Sequence, residues 1–347
     1  MDKGHGVRET MVKQIYFICF CATLSTGQLF GQRGDFSQFD FKKSDSVARA
    51  LYDHSLLDLK TLSRKLTALF TTDVEKFRSI YKWVCENIDY DYATFSRNQK
   101  QRRKLSRIED QKAWNREIRM VMYENLIHKR KSVCTGYAYL VMELARHAGI
   151  PCKIIDGYGR TVAANIRGDG VANHSWNAVE LNKQWYLCDP TWSTGAFNNQ
   201  DYEFIRKYDD SYFLADPALF IRNHYPLDTA WTLLDAKRSL TQFLNGPLIY
   251  STIYKYRVTE IVPNTFDVIA RKKEKTSIKF RMGDQVSIST IGLQVNRNGR
   301  ITTIDVPVVK DPEGFYVIDH SFAARGREVV HLMVDGAYVF TMTYQVE

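Results

Sequence analysis

Three residues have the types, order and settings for joint chemistry: Cys134 as a nucleophile, His174 as a base and Asp189 as the group that orients the base. Cys134 stands in Val133-Cys134-Thr135-Gly136-Tyr137, where a loop turns into an apolar helix that stops at Gly149 and Pro151. At a helix start the unpaired backbone N–H groups and the helix dipole favour a thiolate, and the same N–H groups can bind an oxyanion. His174 and Asp189 lie in two β-rich runs, His174-Ser175-Trp176-Asn177-Ala178-Val179 and Trp185-Tyr186-Leu187-Cys188-Asp189, which flank a short polar turn. With the turn centred on Asn182-Lys183, Asp189 falls opposite Trp176 and on the face of His174. Such diagonal neighbours have Cβ atoms about 7–8 Å apart or less, close enough for a carboxylate to reach an imidazole. Cys188 then points the other way and is a packing residue. A one-residue slip in the turn would undo the pairing.

Other elements must hold these three in place. Leucines at 51, 56, 59, 62, 66 and 69 recur at helical steps, so a helix is expected over 47–70. A second, with Phe77, Ile80, Tyr81 and Val84 on its apolar face, is expected to start at a cap on Asp73 and to end near Asn87. Residues 96–131 carry twelve Lys/Arg against four acids, a surplus of eight in a chain whose total is +9. Two readings stand for this stretch: a solvated helical insertion, or a contact for an anionic surface polymer or lipid head group. Its few aromatics, Trp114 and Tyr123, argue against specific nucleic-acid binding.

Length and composition set the frame. A chain of 347 residues is expected to hold two folded units, and 44% hydrophobic with 25% charged residues excludes a disordered or disulfide-dense scaffold. Lys13 followed by the apolar run 15–24 and then Ser25, Thr26, Gly27 and Gln28 reads as a secretory signal over residues 1–31. That run is about half of what a membrane-spanning helix needs, so no anchor is expected after its removal, and a secreted, periplasmic or cell-surface location follows. The later cysteines, Cys85, Cys134, Cys152 and Cys188, are too few for a disulfide framework.

The sequence resembles the transglutaminase-like superfamily, whose papain-like core uses Cys, His and Asp in this order. The matching pieces are Val133-Cys134-Thr135-Gly136-Tyr137-Ala138, His174-Ser175-Trp176-Asn177-Ala178-Val179 and Trp185-Tyr186-Leu187-Cys188-Asp189-Pro190-Thr191-Trp192. Tyr81-Lys82-Trp83-Val84 with Asn87-Ile88-Asp89-Tyr90-Asp91 is similar to the family's leading helix. Tyr212-Phe213-Leu214-Ala215-Asp216-Pro217, Ile221-Arg222-Asn223-His224-Tyr225-Pro226 and Trp231-Thr232-Leu233-Leu234 resemble its kyphoscoliosis-peptidase branch. The resemblance implies Cys134 as nucleophile, His174 as base and Asp189 as orienter. Trp83 reads first as a helical core residue, and through its indole N–H it is also a candidate oxyanion donor. Tyr137, Trp176 and Asn177, which flank the three, are candidates for substrate contact. The basic segment is longer than the family usually places there, and it would shape or cover the cleft.

The expected fold class is therefore α+β: a papain- or transglutaminase-like core over 32–245, with helices packed on an antiparallel sheet and a basic insertion around 96–131. An all-β immunoglobulin-like sandwich over 246–347 is expected to follow. Eight short runs from 258 to 344, separated by turn signals such as Asn298-Gly299 and Asp335-Gly336, carry that second expectation. His320 and His331 lie there without clustered partners, so no metal or cofactor is expected. The chemistry expected is thiol-dependent acyl transfer at an amide bond of a peptide, protein or cell-wall substrate. Water as acceptor makes a cysteine peptidase or amidase, an amine makes a transglutaminase, and a non-catalytic scaffold of the same fold is the alternative.

Overall fold

In a computed structural model, the described residues are 32–102, 104–162, 164–165, 172–197, 204–283, 286–307 and 309–347. The expected secretory signal over 1–31 lies outside them. After a 3-10 turn over Gln32–Phe36 come three helices, α1 (Lys42–Ala50), α2 (Leu59–Thr67) and α3 (Asp73–Asn87). The single helix expected over 47–70 is thus two. The leucine spacing runs on, but Asp53 takes a left-handed φ of 61° and the Asp58 side chain accepts from the Thr61 N–H at 2.9 Å, restarting the helix. Leu62 and Leu66 are buried by α2, whereas Leu57 and Leu69 face solvent. Asp73 is the first residue of α3; Thr72 takes the cap position.

A two-residue strand β1 (Asp89–Tyr90) leads into α4 (Tyr92–Arg102) and the 22-residue α5 (Ile108–Lys129), and the chain returns on β2 (Lys131–Ser132), parallel to β1. The basic stretch is therefore a helical hairpin whose two ends are clamped side by side. Asp91 fastens its root by accepting from the Thr94 N–H and hydroxyl and from the Asn125 amide at 2.8 Å. α6 (Cys134–His147) follows at once and packs on a four-stranded antiparallel sheet, β3 (Cys152–Gly159), β4 (His174–Leu181), β5 (Gln184–Cys188) and the later β8 (His224–Pro226). The order is β5-β4-β3-β8. Between β5 and β8 lie α7 (Pro190–Thr194), the pair β6 (Gly195–Phe197) and β7 (Phe204–Arg206), and α8 (Pro217–Phe220). One core joins α1, α2, α3 and α6 to the inner face of the sheet through residues such as Leu62, Phe77, Trp83, Tyr137, Leu144, Val179 and Cys188.

After α9 (Leu240–Asn245), β9 (Leu248–Ile249) and α10 (Thr252–Tyr256), the chain is all strand: β10 (Glu260–Val262), β11 (Asp267–Ala270), β12 (Lys275–Arg281), β13 (Ile291–Arg297), β14 (Arg300–Val306), β15 (Tyr316–Ser321), β16 (Gly326–Val334) and β17 (Ala337–Val346). They form a β10-β12-β15 sheet and a β11-β17-β16-β13-β14 sheet, with β9 added on β17. The two share a core that includes Phe280, Leu293, Leu332, Phe340 and Tyr344. The protein is thus a mixed helix-and-sheet fold followed by a two-sheet region. No helix among the described residues is long and apolar enough to cross a membrane.

Candidate active site

The site is built where the α6 N-terminus meets the open end of the β4–β5 hairpin. Asn182 and Lys183 have φ of 51° and 64°, the left-handed pair of a tight hairpin turn. They set the register Asn177↔Cys188 through Leu181↔Gln184, the pairing expected from the sequence. Carried one step further, it places Asp189 beside His174, and His174 Nε2 lies 2.6 Å from Asp189 Oδ2. Cys188 is in the inner core, as its parity requires.

Asp189 also starts α7. Its Oδ1 accepts from the N–H groups of Thr191 at 2.8 Å and Trp192 at 3.1 Å, so the helix start locks the carboxylate while Pro190 supplies the turn. The side chain is fully buried. Burial opposes its charge, but the charge and hydrogen bond of His174, and then those of His224, hold its carboxyl well below the usual carboxylate range. For His174, burial works against the imidazolium; the Asp189 charge and hydrogen bond outweigh it, Cys134 adds to them, and the result is about 10. Cys134 thus acts on the same imidazole as Asp189, which puts it near the His174–Asp189 pair. Cys134 keeps only 7% of its surface exposed. Its helix carries no side-chain cap, and the Val133 carbonyl accepts from Gly136 and Tyr137. The N–H groups of Cys134 and Thr135 precede the first donor, Gly136, and belong to the first turn, whose N–H groups are directed toward the space before the helix.

Glycine makes room for the ring. A Cβ on Gly159 would stand 2.9 Å from His174 Cβ, and one on Gly157 would stand 2.5 Å from the Trp176 ring. Trp192 packs on His174 with ring centroids 5.2 Å apart.

Of four further candidates from the sequence, Trp83 takes its core-packing reading and the other three are corrected. The Trp83 indole N–H donates to the Leu51 carbonyl at 2.8 Å in the core, so it is not an oxyanion donor. Tyr137 is fully buried and its hydroxyl donates to the Ile88 carbonyl at 2.6 Å. Asn177 is equally buried, and its amide ties the Ala138 carbonyl of α6 to the sheet at 2.9 Å. Trp176 packs edge-on against Phe220 and His224 beneath the site. None of the last three offers a surface to substrate. Among the described residues the other cysteines, 85, 152 and 188, are free thiols that burial pushes up, Cys152 to about 12.

A fourth side chain was not assigned from the sequence. His224, the first residue of β8, points its Nε2 at the same Asp189 Oδ2 from 2.9 Å. Burial, opposed by Asp189 and reinforced by the His174 charge, lowers it to about 4. The tripeptide Asn223-His224-Tyr225 was visible in the resemblance, but nothing in its spacing said that β8 would close the sheet beside Gly159. His174, Asp189 and His224 have a donor set that can hold a metal, their atoms all within 4.8 Å of one another. Oδ2, however, stands 2.6 and 2.9 Å from the two Nε2 atoms. Ligands about 2 Å from a common cation lie roughly 3 Å or more apart, so these are hydrogen bonds and not a cation cage.

Residues 60–190 match the family model of the transglutaminase-like superfamily. The chain therefore carries a transglutaminase-like domain. It is 30% identical over 232 residues to kyphoscoliosis peptidase of Homo sapiens, covering 66% of this chain and 31% of that protein. To the Mus musculus protein of the same name it is 31% identical over 227 residues, covering 65% and 31%. To hillarin of Drosophila melanogaster it is 25% identical over 233 residues, covering 62% and 26%. The chain spans about a third of the length of these relatives.

Proposed function

We propose that this protein is a thiol-dependent acyl-transfer enzyme acting on amide bonds, a cysteine peptidase or amidase of the transglutaminase-like superfamily. The observation that carries the reading is the 2.6 Å bond from His174 to a fully buried Asp189, with Cys134 acting on the same ring. In this mechanism the proton shared between Cys134 and His174 rests on the imidazole, and the sulfur attacks the amide carbon. The N–H groups of Cys134 and Thr135 receive the developing oxyanion. The imidazolium then protonates the departing amine, leaving a thioester. Water, deprotonated by His174, attacks the thioester and releases the acid; an amine in its place would give transamidation. Asp189 keeps the ring in one orientation and stabilises its charge throughout. The printed name of the mammalian relatives, a peptidase, supports hydrolysis.

An electrophilic thiol probe should label Cys134 stoichiometrically and lose that labelling in His174→Ala, while a peptide and cell-wall-fragment library read by mass separates cleavage from amine incorporation. Labelling no faster at Cys134 than at Cys152 would sink the enzyme and leave a scaffold.

A second reading concerns the basic hairpin, which we propose binds an anionic polymer near the cleft. Lys112, Arg116 and Arg119 stand exposed one helical turn apart on α5, and Arg102 reaches the Ala172 carbonyl at 3.5 Å, two residues before His174. Heparin affinity that falls steeply with salt and drops on replacing the three with Ala supports it. We also read the two-sheet region as immunoglobulin-like, since β11 runs parallel to β17 on one sheet while β10 starts the other.

A further inference from the structure

Asp189 is saturated. A carboxylate offers about four lone-pair sites, and here Oδ1 accepts two backbone N–H groups while Oδ2 faces two imidazoles. We propose that His224 is a positioning residue for the acyl-transfer site: as a neutral ring it donates its Nε2 proton to Asp189 Oδ2, fixing the carboxylate so that its remaining direction serves His174 alone. The proposal rests on the acyl-transfer reading and adds a fourth member to it.

Geometry decides the protonation. Oδ2 of an ionised carboxylate is an acceptor, so His224 Nε2 must carry a proton. In a ring that burial keeps neutral, Nδ1 is then an acceptor, yet its neighbour at 2.7 Å is the Asn223 Oδ1. Oxygen and nitrogen of an amide are interchangeable in shape. With the Asn223 amide turned over, its NH2 donates to Nδ1 and its oxygen faces the Tyr212 hydroxyl, 3.5 Å from the present nitrogen position. A directed chain results, from Tyr212 through Asn223 and His224 to Asp189, and every member is buried. The Phe220 backbone favours the protonated ring, a smaller effect than burial.

The packing around His224 holds it for this role. Phe220 stacks on the ring at 3.9 Å with planes 14° apart, and Trp192 and Trp176 close on it at 4.2 and 5.2 Å. The titratable groups of the other elements that feel the charge of the carboxylate are Cys85 of α3, Tyr90 of β1, Cys188 of β5, Tyr212 and Tyr254, all of which burial keeps protonated. Among the described residues, the cationic neighbour of Asp189 is therefore His174, facing Cys134.

The test uses the full chain and iodoacetamide as the probe of Cys134. His224→Phe keeps a ring for Phe220 to stack on but removes both nitrogens; His224→Gln keeps an N–H for Asp189. The expected result is alkylation about ten- to hundredfold slower in His224→Phe, with much of the rate restored in His224→Gln, both variants folded by circular dichroism. In parallel, nitrogen-15 NMR of the unaltered protein should show a protonated Nε2 on His224 that moves in Asp189→Asn. A His224→Phe rate within twofold of the unaltered chain overturns the proposal, as does an unprotonated Nε2. Equal slowing in both folded variants overturns the donor role as well. Should Cys134 of the unaltered chain react no faster than Cys152, the acyl-transfer reading itself fails, which is a different result from any of these.

Discussion

His174 and His224 share one carboxylate oxygen yet are driven in opposite directions, His174 up to about 10 and His224 down to about 4 from a common ordinary value of 6.5. Their contributions to stability carry opposite signs. The fold binds the His174 proton more tightly than the unfolded chain does, so that contribution is complete below about 6.5 and is lost as pH rises through about 10. The fold disfavours a proton on His224, so its contribution is present above about 6.5 and is lost as pH falls through about 4. The stability advantage of the unaltered chain over His224→Gln should therefore shrink between pH 6.5 and 4 in thermal melts; a constant difference would contradict the neutral ring. Asp189→Asn removes the charge that opposes burial at His174. Its ring protons should then titrate at or below about 6.5 by NMR, and acyl-transfer rate should drop by roughly 10²–10⁴. Gly159→Ala would press a methyl to 2.9 Å from His174 Cβ. The expected outcome is a loss of Cys134 labelling out of proportion to a stability cost of about 1–3 kcal/mol in urea melts.

At the level of elements, the clearest energetic joint is Arg78 of α3. Its guanidinium is buried, holds Asp45 of α1 at 2.6 and 2.9 Å, bonds Asp210 as well, and lies over the Phe213 ring at 4.8 Å. Burial opposes its charge, and Asp45 and Asp210 more than restore it. Because both carboxylates keep some contact with solvent, Arg78→Met should cost about 2–3 kcal/mol, not the full penalty of breaking a dry pair, as read from urea midpoints. How much of this was legible differs by element. The β4–β5 hairpin was, because strand parity and a two-residue turn fix every pairing once one is known. α6 was, because Gly149 and Pro151 mark its end. The break between α1 and α2 was not, since leucines continue at helical steps on both sides of Asp58 and only a cap reverses the reading. His224 was hidden for another reason: it lies 35 positions from Asp189 on a three-residue strand, too short to show a period.

Across the whole molecule, the strand-rich region reaches the site's outer layer. Tyr254 packs edge-on against Tyr212 at 5.3 Å, and Tyr212 against Trp192 at 5.5 Å, which in turn covers His174. Arg160, beside Gly159, donates to the Pro247 carbonyl at 2.9 Å, and Arg222, two residues before His224, bonds the Thr259 carbonyl. Urea unfolding followed by circular dichroism and by Cys134 accessibility should therefore coincide in one transition. A chain cut after Asn245 should lose fast Cys134 labelling although it keeps Cys134, His174, Asp189 and His224. Two separate transitions, with labelling intact in the shorter chain, would show the regions to be energetically independent.

The helical hairpin of α4 and α5 leaves and rejoins the body through β1 and β2, whose neighbouring backbones are bonded from the Asp89 N–H to the Arg130 carbonyl at 2.8 Å and from the Asp91 N–H to the Ser132 carbonyl at 2.9 Å. Entry and exit stand side by side, two residues ahead of Cys134. A segment rooted this way is a cassette: it can be swapped for another of different length or sign while the socket beside Cys134 stays shut.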